Sequence, residues 1–277
     1  MLTETFNSIA TAARTVLKSW RSMLLIAIVY AAFLGALYSF IAVREASVAQ
    51  VVATFALAIA APLLFFILQG MIMGSIAAGD DTSVGLLIKR AFSNFWKLLL
   101  ISLPLIALAV LVAYLLAKAQ ARLGTSLTET ATEIPRRLAA GAREPARPID
   151  WKAAMVSTVR YLTFGLFLPL AAIHLWLAAA GDGLGHALKK IGSLLARAFS
   201  PRSVLVYVLG FVVFAIAPYF LLFRATPSKH AWLELILFVA RMAVVFALTL
   251  FGWVITVKTL ALLSKDPPPR LPANEAA

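Results

Sequence analysis

The chain contains the heptapeptide L-I-K-R-A-F-S at Leu87–Ser93, and Leu194–Ser200 reads L-L-A-R-A-F-S. Each copy follows an A-G-D triplet, at Ala78–Asp80 and at Ala180–Asp182, and precedes a long apolar run. A segment that recurs with the same flanks indicates internal duplication. We therefore take the R-A-F-S stretch as the fixed point of a repeated unit.

A fainter third copy lies near the N-terminus. There Arg14 precedes Trp20 by six residues, as Arg90 precedes Trp96. Together the copies predict three two-span repeats. Each would consist of an amphipathic helix at the membrane surface, a span outward and a span back, over about residues 5–77, 84–180 and 184–263.

The composition is typical of a membrane protein. Of the 277 residues, 62% are hydrophobic and 13% are charged, and the mean hydropathy is +0.93. A soluble domain would have roughly a quarter of its residues charged. Because the apolar residues gather in runs of span length, they predict an all-α polytopic membrane bundle. Its six transmembrane helices are expected at about residues 23–43, 51–77, 95–117, 154–180, 203–223 and 231–263.

The first apolar run has a second interpretation as a signal peptide, since Ser47-Val48-Ala49 resembles a small-residue cleavage site. The apolar core of a signal peptide is about 7–15 residues long. The run here is about twenty residues, the length of a span. This length favours a retained first span.

The chain is strongly basic, with a net charge of +13. In a soluble protein such a charge would suggest nucleic acid. Here the cations flank apolar runs, which favours contacts with anionic lipid and argues against nucleic-acid binding. A second interpretation is that the amphipathic segments only anchor the bundle at its depth. The expected lipid contacts are Arg14, Lys18, Arg21, Lys89, Arg90, Lys97, Lys189, Lys190, Arg197 and Arg202.

The distribution of cations also predicts the orientation. Thirteen Lys and Arg flank the spans on the side that holds both termini, against three in the two short turns opposite. The positive-inside rule then places both termini in the cytoplasm of a bacterial cell, with the protein in the inner membrane. The segment 118–152 is discordant, because its seven cations fall on the outer side.

The domain organisation follows from the spans. We expect a single membrane domain over residues 1–264 with one sizeable extramembrane loop at 118–152. The weak hydrophobic pattern of this loop predicts frayed helix and irregular chain. The tail over residues 265–277 contains three consecutive prolines, which cannot continue a helix, and is expected to be disordered.

Two features concern helix packing. Four spans hold a proline near the middle, which bends a helix and fits either packing around a central axis or hinges for a gating motion. The sequence G-x-x-x-G at Gly70 and Gly74 predicts close approach of a second helix. The prolines are Pro62, Pro104, Pro169 and Pro218.

This organisation resembles a known group of proteins. Paired spans linked by basic amphipathic helices, with A-G-D followed by L-x-R-A-F-S and an aromatic residue before the next span, are similar to a loose group of six-span bacterial membrane proteins. The group has no assigned function and includes the membrane domain fused to some glycerophosphodiester phosphodiesterases. The resemblance implies no catalytic residue in this chain, since the soluble phosphodiesterase domain lies outside it.

Ionisable residues inside spans are the best indicators of function in a membrane protein. Arg241 lies about ten residues into span 6, with Glu234 seven residues before it, and Arg160 is expected at a similar depth in span 4. Gln69 in span 2 and His174 in span 4 lie further in. One hypothesis is a polar pocket between spans 2, 4 and 6 that binds an anionic group such as a lipid phosphate. The alternative is a structural Glu234–Arg241 pair, with Arg160 reaching to the membrane surface.

The residue inventory argues against chemistry at a cofactor or metal. The chain has no cysteine, and its three histidines lack the spacing of metal ligands. Neither H-E-x-x-H nor G-x-S-x-G occurs. We expect no enzymatic activity, no cofactor and no bound metal.

The sequence therefore favours a non-enzymatic integral membrane protein with an accessory, scaffold or lipid-handling role. Its expected partners are anionic membrane lipids, with other membrane proteins or a second copy of the chain also open. The alternative is a small transporter or channel with a polar site around Arg160, Glu234 and Arg241.

Overall fold

The computed structural model describes residues 2–43, 47–78, 83–123, 151–223 and 231–265. Helix accounts for 96% of them, and these residues form no β-strand. The α-helices are α1 Leu2–Lys18, α2 Trp20–Ala42, α3 Val48–Ala78, α4 Val84–Leu123, α5 Trp151–Leu162, α6 Leu168–Gly181, α7 Leu184–Lys189, α8 Ile191–Ala198, α9 Pro201–Phe211, α10 Ala217–Phe223 and α11 Ala231–Lys265.

Six of the helical segments are long and apolar enough to cross a membrane. Each coincides with one of the six predicted spans, so the all-α polytopic fold class is confirmed. The spans are Trp20–Ala42, Val48–Ala77, Val84–Arg122, Ala154–Gly181, Pro201–Phe223 and Trp232–Ser264.

The amphipathic segments connect to their spans in different ways. In α4 the helix runs without interruption from Val84 through the span, with the first R-A-F-S stretch inside it. Around the second R-A-F-S the helix instead stops at Ala198. There Ser200 accepts a hydrogen bond from the Ser203 N–H and Pro201 occupies the first helical turn, a combination that begins a new helix.

The helices pack as two compact units. The larger comprises Met1–Ile101 and Ile173–Ala277, and the smaller comprises Ser102–Ala172. The single domain predicted over residues 1–264 stays a prediction, as do the three repeats.

The core of the larger unit forms where α3 meets α6 and the start of α4. Phe65 and Phe66 of α3 contact the Trp176 ring at centroid distances of 6.0 and 6.5 Å, and Phe66 also contacts Phe95 of α4 at 6.4 Å. Most of the remaining span surface is apolar and exposed, which is the surface that lipid would solvate.

Two glycines allow the closest helix crossings in the larger unit. A Cβ atom at Gly70 of α3 would lie 2.7 Å from the carbonyl oxygen of Ala91 in α4. A Cβ at Gly210 of α9 would overlap the Thr256 side chain of α11. The approach predicted from G-x-x-x-G is therefore present, and its partner is the R-A-F-S segment of α4.

The four prolines fall into two classes. Pro62 and Pro104 lie inside uninterrupted α-helices. Pro169 and Pro218 each follow a five-residue π-helical turn, Thr163–Phe167 and Val212–Ile216, that ends two residues before the proline. Proline removes one backbone donor and crowds the carbonyl one turn earlier, and the wider π turn accommodates both effects.

Parts of three predictions lie outside the described residues. They are residues 124–150 of the loop predicted at 118–152, the tail beyond residue 265, and the two short turns whose three cations, Arg44, Arg224 and Lys229, entered the prediction of the orientation.

Substitution Gly70→Ala is expected to destabilise the bundle, because the added methyl group would collide with the backbone of α4. Overpacking of this kind typically costs about 1–3 kcal/mol. The measurement is the midpoint of thermal unfolding in detergent. Gly35→Ala in α2 is the matched control, since a Cβ there meets nothing within 4 Å. An equal midpoint for both variants would contradict the crossing at Gly70.

Candidate functional site

The arginines of the two R-A-F-S copies make the same kind of contact. Arg90 Nη1 donates a hydrogen bond to the Gly74 carbonyl near the end of α3, at 3.5 Å. Arg197 Nη1 donates to the Ser264 carbonyl at the end of α11, at 3.4 Å. Each cation thus lies near the C-terminal end of a span, where the helix dipole is negative. The Ser264 carbonyl is also one of the last four of α11, which lack intrahelical partners. We call this end of the larger unit the basic face.

A cavity of about 390 Å³ opens at the basic face. Its walls come from the last turns of α3, α6 and α11 and from α8. They include Ala77, Leu177, Gly181, Leu194, Arg197, Ala261 and Ser264. The second span of each predicted repeat therefore ends at one cavity, and the arginines of both R-A-F-S copies lie at the same end of the larger unit.

The deepest polar group in this cavity is the imidazole of His174, whose side chain is buried. Its Nε2 atom lies 3.5 Å from the Oγ atom of Ser203, and the Ser200 hydroxyl donates to that Oγ atom at 3.0 Å. The last serine of the second R-A-F-S stretch thus caps α9 and connects through Ser203 to the cavity wall.

The electrostatics of the cavity are mixed. Three helix C-termini and the exposed carboxylate of Asp182 present negative potential, whereas Arg197 presents a positive charge. Asp182 also lies 3.9 Å from His186, although both side chains are largely exposed, which keeps that interaction weak. This arrangement does not form a concentrated anion site.

Gln69 lies outside this cavity, in the packed interior. Its side chain is buried between α3 and α11, and its Oε1 atom accepts a hydrogen bond from Trp253 Nε1 at 3.1 Å. An amide whose oxygen is satisfied in this way joins the two helices.

Glu234 and Arg241 lie on the part of α11 far from the basic face. The side chain of Glu234 is exposed and makes no ion pair with the described residues. Arg241 is half-buried, with its guanidinium 5.7 Å from the centre of the Phe238 ring. Neither residue lines the cavity at the basic face.

Arg160 belongs to the smaller unit, where it lines a second cleft of about 420 Å³. Tyr161 and Gln120 share this cleft. Sequence reasoning missed both, although Gln120 follows Ala113, Leu116 and Ala117 at helical spacing on one face of α4. A polar residue that ends such an apolar stripe was the available signal.

The ten predicted lipid contacts differ in their surroundings. Arg90 and Arg197 bind carbonyls, Arg202 forms an ion pair with Glu4 at 3.1 Å, and Arg21 lies over the Trp20 ring at 5.6 Å. Among the others, those with exposed side chains are Arg14, Lys18, Lys89, Lys189 and Lys190, and Lys97 is half-buried.

Helix α1 has three distinct faces. Thr5, Ala12 and Val16 are buried on the side that packs against α11. Phe6 and Leu17 form a second face and are 57% and 70% exposed. Arg14 and Lys18 are exposed on the third.

Comparison of the chain with protein-family models, with curated proteins and with solved structures finds no match. The fold defines the class, a multi-pass integral membrane protein. The resemblance to the six-span bacterial group stays a prediction.

Substitution Trp253→Phe is expected to destabilise the larger unit by about 1 kcal/mol, because the buried Gln69 oxygen loses its donor. Adding Gln69→Leu should recover much of this loss, since both polar partners are then replaced by apolar groups. The measurement is the free energy of unfolding in mixed micelles for the wild type, both single variants and the double variant. Strictly additive effects would show that the two side chains are not coupled.

Proposed function

We propose that this chain is a non-enzymatic membrane protein that binds anionic lipid at its basic face and so has an accessory or lipid-handling role. We further propose that the basic face is the cytoplasmic one, in a bacterial inner membrane. The excess of cations near the span ends on this side supports that orientation.

The three-faced surface of α1 carries the proposal. A helix that met only protein and water would not place exposed Phe6 and Leu17 beside exposed cations. At a membrane surface the apolar side chains enter the acyl boundary and the cations reach the phosphates. The face buried against α11 then holds the helix at that depth.

The other exposed cations extend the same surface. Lys89 at the start of α4, and Lys189 and Lys190 at the junction of α7 and α8, have side chains that are free to meet headgroups. Trp20 and Trp96 are also exposed, two residues after Lys18 and seven residues after Lys89, and aromatic rings of this kind favour the membrane boundary. Each cation near an anionic surface contributes about 1 kcal/mol, so several together favour anionic over zwitterionic lipid.

The transport alternative would need a water-accessible path to Arg241. The cavity at the basic face does not include this residue. The observations on α1 favour lipid binding over transport.

The test replaces three exposed cations of the basic face in one variant, Lys18→Gln, Lys89→Gln and Lys189→Gln. The preference for phosphatidylglycerol over phosphatidylcholine, measured by native mass spectrometry of the purified chain, is expected to fall at least about fivefold. The preference of the wild type should also fall at high salt, because salt screens exposed charges.

A matched control removes three cations at the ends of α4 and α5, with Lys118→Gln, Arg122→Gln and Lys152→Gln. It has the same net charge as the test variant but keeps the basic face. The proposal requires the control to retain the lipid preference of the wild type. Equal losses of lipid preference in both variants would mean that net charge alone sets the preference. No loss in either variant would show that the basic face is not the lipid-binding surface.

A further inference from the structure

We propose that the cleft of the smaller unit is a second lipid site, which binds the phosphate of a phospholipid at one end and an acyl chain along its length. Its residues are distinct from those of the basic face. The two sites can therefore be tested and can fail independently.

Hydrogen-bond donors gather at one end of the cleft. They are the guanidinium of Arg160, the phenol of Tyr161 and the side-chain amide of Gln120. The Nε2 atom of Gln120 is buried and makes no hydrogen bond within the described parts of the chain. A buried donor that lacks an acceptor calls for a ligand with acceptor oxygens.

The charge at this end selects the ligand class. Arg160 is permanently cationic, and its planar fork fits two oxygens of a phosphate. Among the described residues that line the cleft there is no carboxylate to neutralise it. An anion with several oxygens accepts from all three donors and pairs with the guanidinium charge, whereas a neutral hydroxyl compound leaves that charge unpaired and an amine is repelled by it.

The rest of the cleft is an apolar groove. On α4, Ala113 lies seven residues before Gln120, about 10 Å further from the donors, and Leu116 and Ala117 lie between them on the same face. The opposite wall is Phe164 and Gly165, which lie beyond Arg160 along the chain. The donors therefore lie near the end of α4 and in the last turn of α5, and the apolar walls lie further from the ends of the two helices that flank residues 124–150.

This polarity matches a membrane lipid in its ordinary orientation, with the phosphate toward the surface and the chain toward the bilayer interior. The volume of about 420 Å³ falls within the range of small-molecule sites, roughly 300–1,000 Å³. Gly165 leaves the groove open, because a Cβ atom built there meets nothing within 4 Å. A soluble phosphate compound would use the donors and leave the groove unfilled.

The experiment titrates the delipidated full chain with phosphatidylglycerol and, separately, with glycerol phosphate. The background is the Lys18→Gln, Lys89→Gln, Lys189→Gln variant, so that binding at the basic face is weakened and is the same in every variant compared. Phosphatidylglycerol is expected to bind more tightly than glycerol phosphate. Arg160→Gln should weaken its binding at least about tenfold, because a charge-assisted contact is lost.

Two further variants separate the contribution of the lipid phosphate from that of the acyl chain. Gln120→Leu removes a donor and should weaken both ligands. Gly165→Leu fills the groove and should weaken phosphatidylglycerol alone. Both variants keep the charge of the protein. If Arg160→Gln does not fold, their affinities for the two ligands test the proposal without it. Arg122→Gln, in the last turn of α4, is the matched charge control and should bind as its parent does.

Either of two results would overturn the proposal. One is unchanged phosphatidylglycerol affinity in the folded Arg160→Gln or Gln120→Leu variant. The other is glycerol phosphate binding as tightly as the lipid, with Gly165→Leu without effect, which would make the cleft a site for a soluble phosphate compound.

Discussion

A helix that crosses a bilayer satisfies its backbone internally except at its ends, where the last four carbonyls lack partners. In this protein Arg197 donates to such a carbonyl, that of Ser264 in α11, and Arg90 donates to the carbonyl of Gly74, just before the last four of α3. An arginine near the bilayer centre would be costly. Both contacts place an arginine near the end of a span, and together they define the basic face.

The same constraint accounts for the prolines. Each proline inside a span removes a backbone donor that lipid cannot replace. At Pro169 and Pro218 the chain forms a five-residue π-helical turn that ends two residues before the proline in both spans. The change in backbone hydrogen bonding that the proline causes is thereby spread over five residues. The uninterrupted α-helices at Pro62 and Pro104 show that proline alone does not enforce this turn. The equal register is a structural likeness between spans 4 and 5 that hydropathy does not reveal.

The six spans were predictable because each is a long apolar run, and the fold class follows from that pattern alone. The segment that crosses α3 at Gly70 could not be predicted, because its contact with Ala91 depends on how α3 and α4 pack. For the same reason the sequence could group His174 and Gln69 in one hypothetical pocket but could not give their neighbours, which in the structure are a cavity for His174 and Trp253 for Gln69. Local periodicity predicts which face of a helix is apolar, but the partners of a polar side chain are set by tertiary contacts between distant segments.

The most direct measurement of the central claim is the sidedness of the two R-A-F-S stretches. The chain has no cysteine, so single cysteines can be introduced without a background signal. The positions are Ser93, which ends the first copy, Ser193, which directly precedes the second, and Ser47, at the opposite end of α3. All three side chains are exposed. In sealed vesicles of known orientation, a membrane-impermeant maleimide should label Ser93→Cys and Ser193→Cys from one side and Ser47→Cys from the other. Labelling of the two R-A-F-S positions from opposite sides would contradict the account.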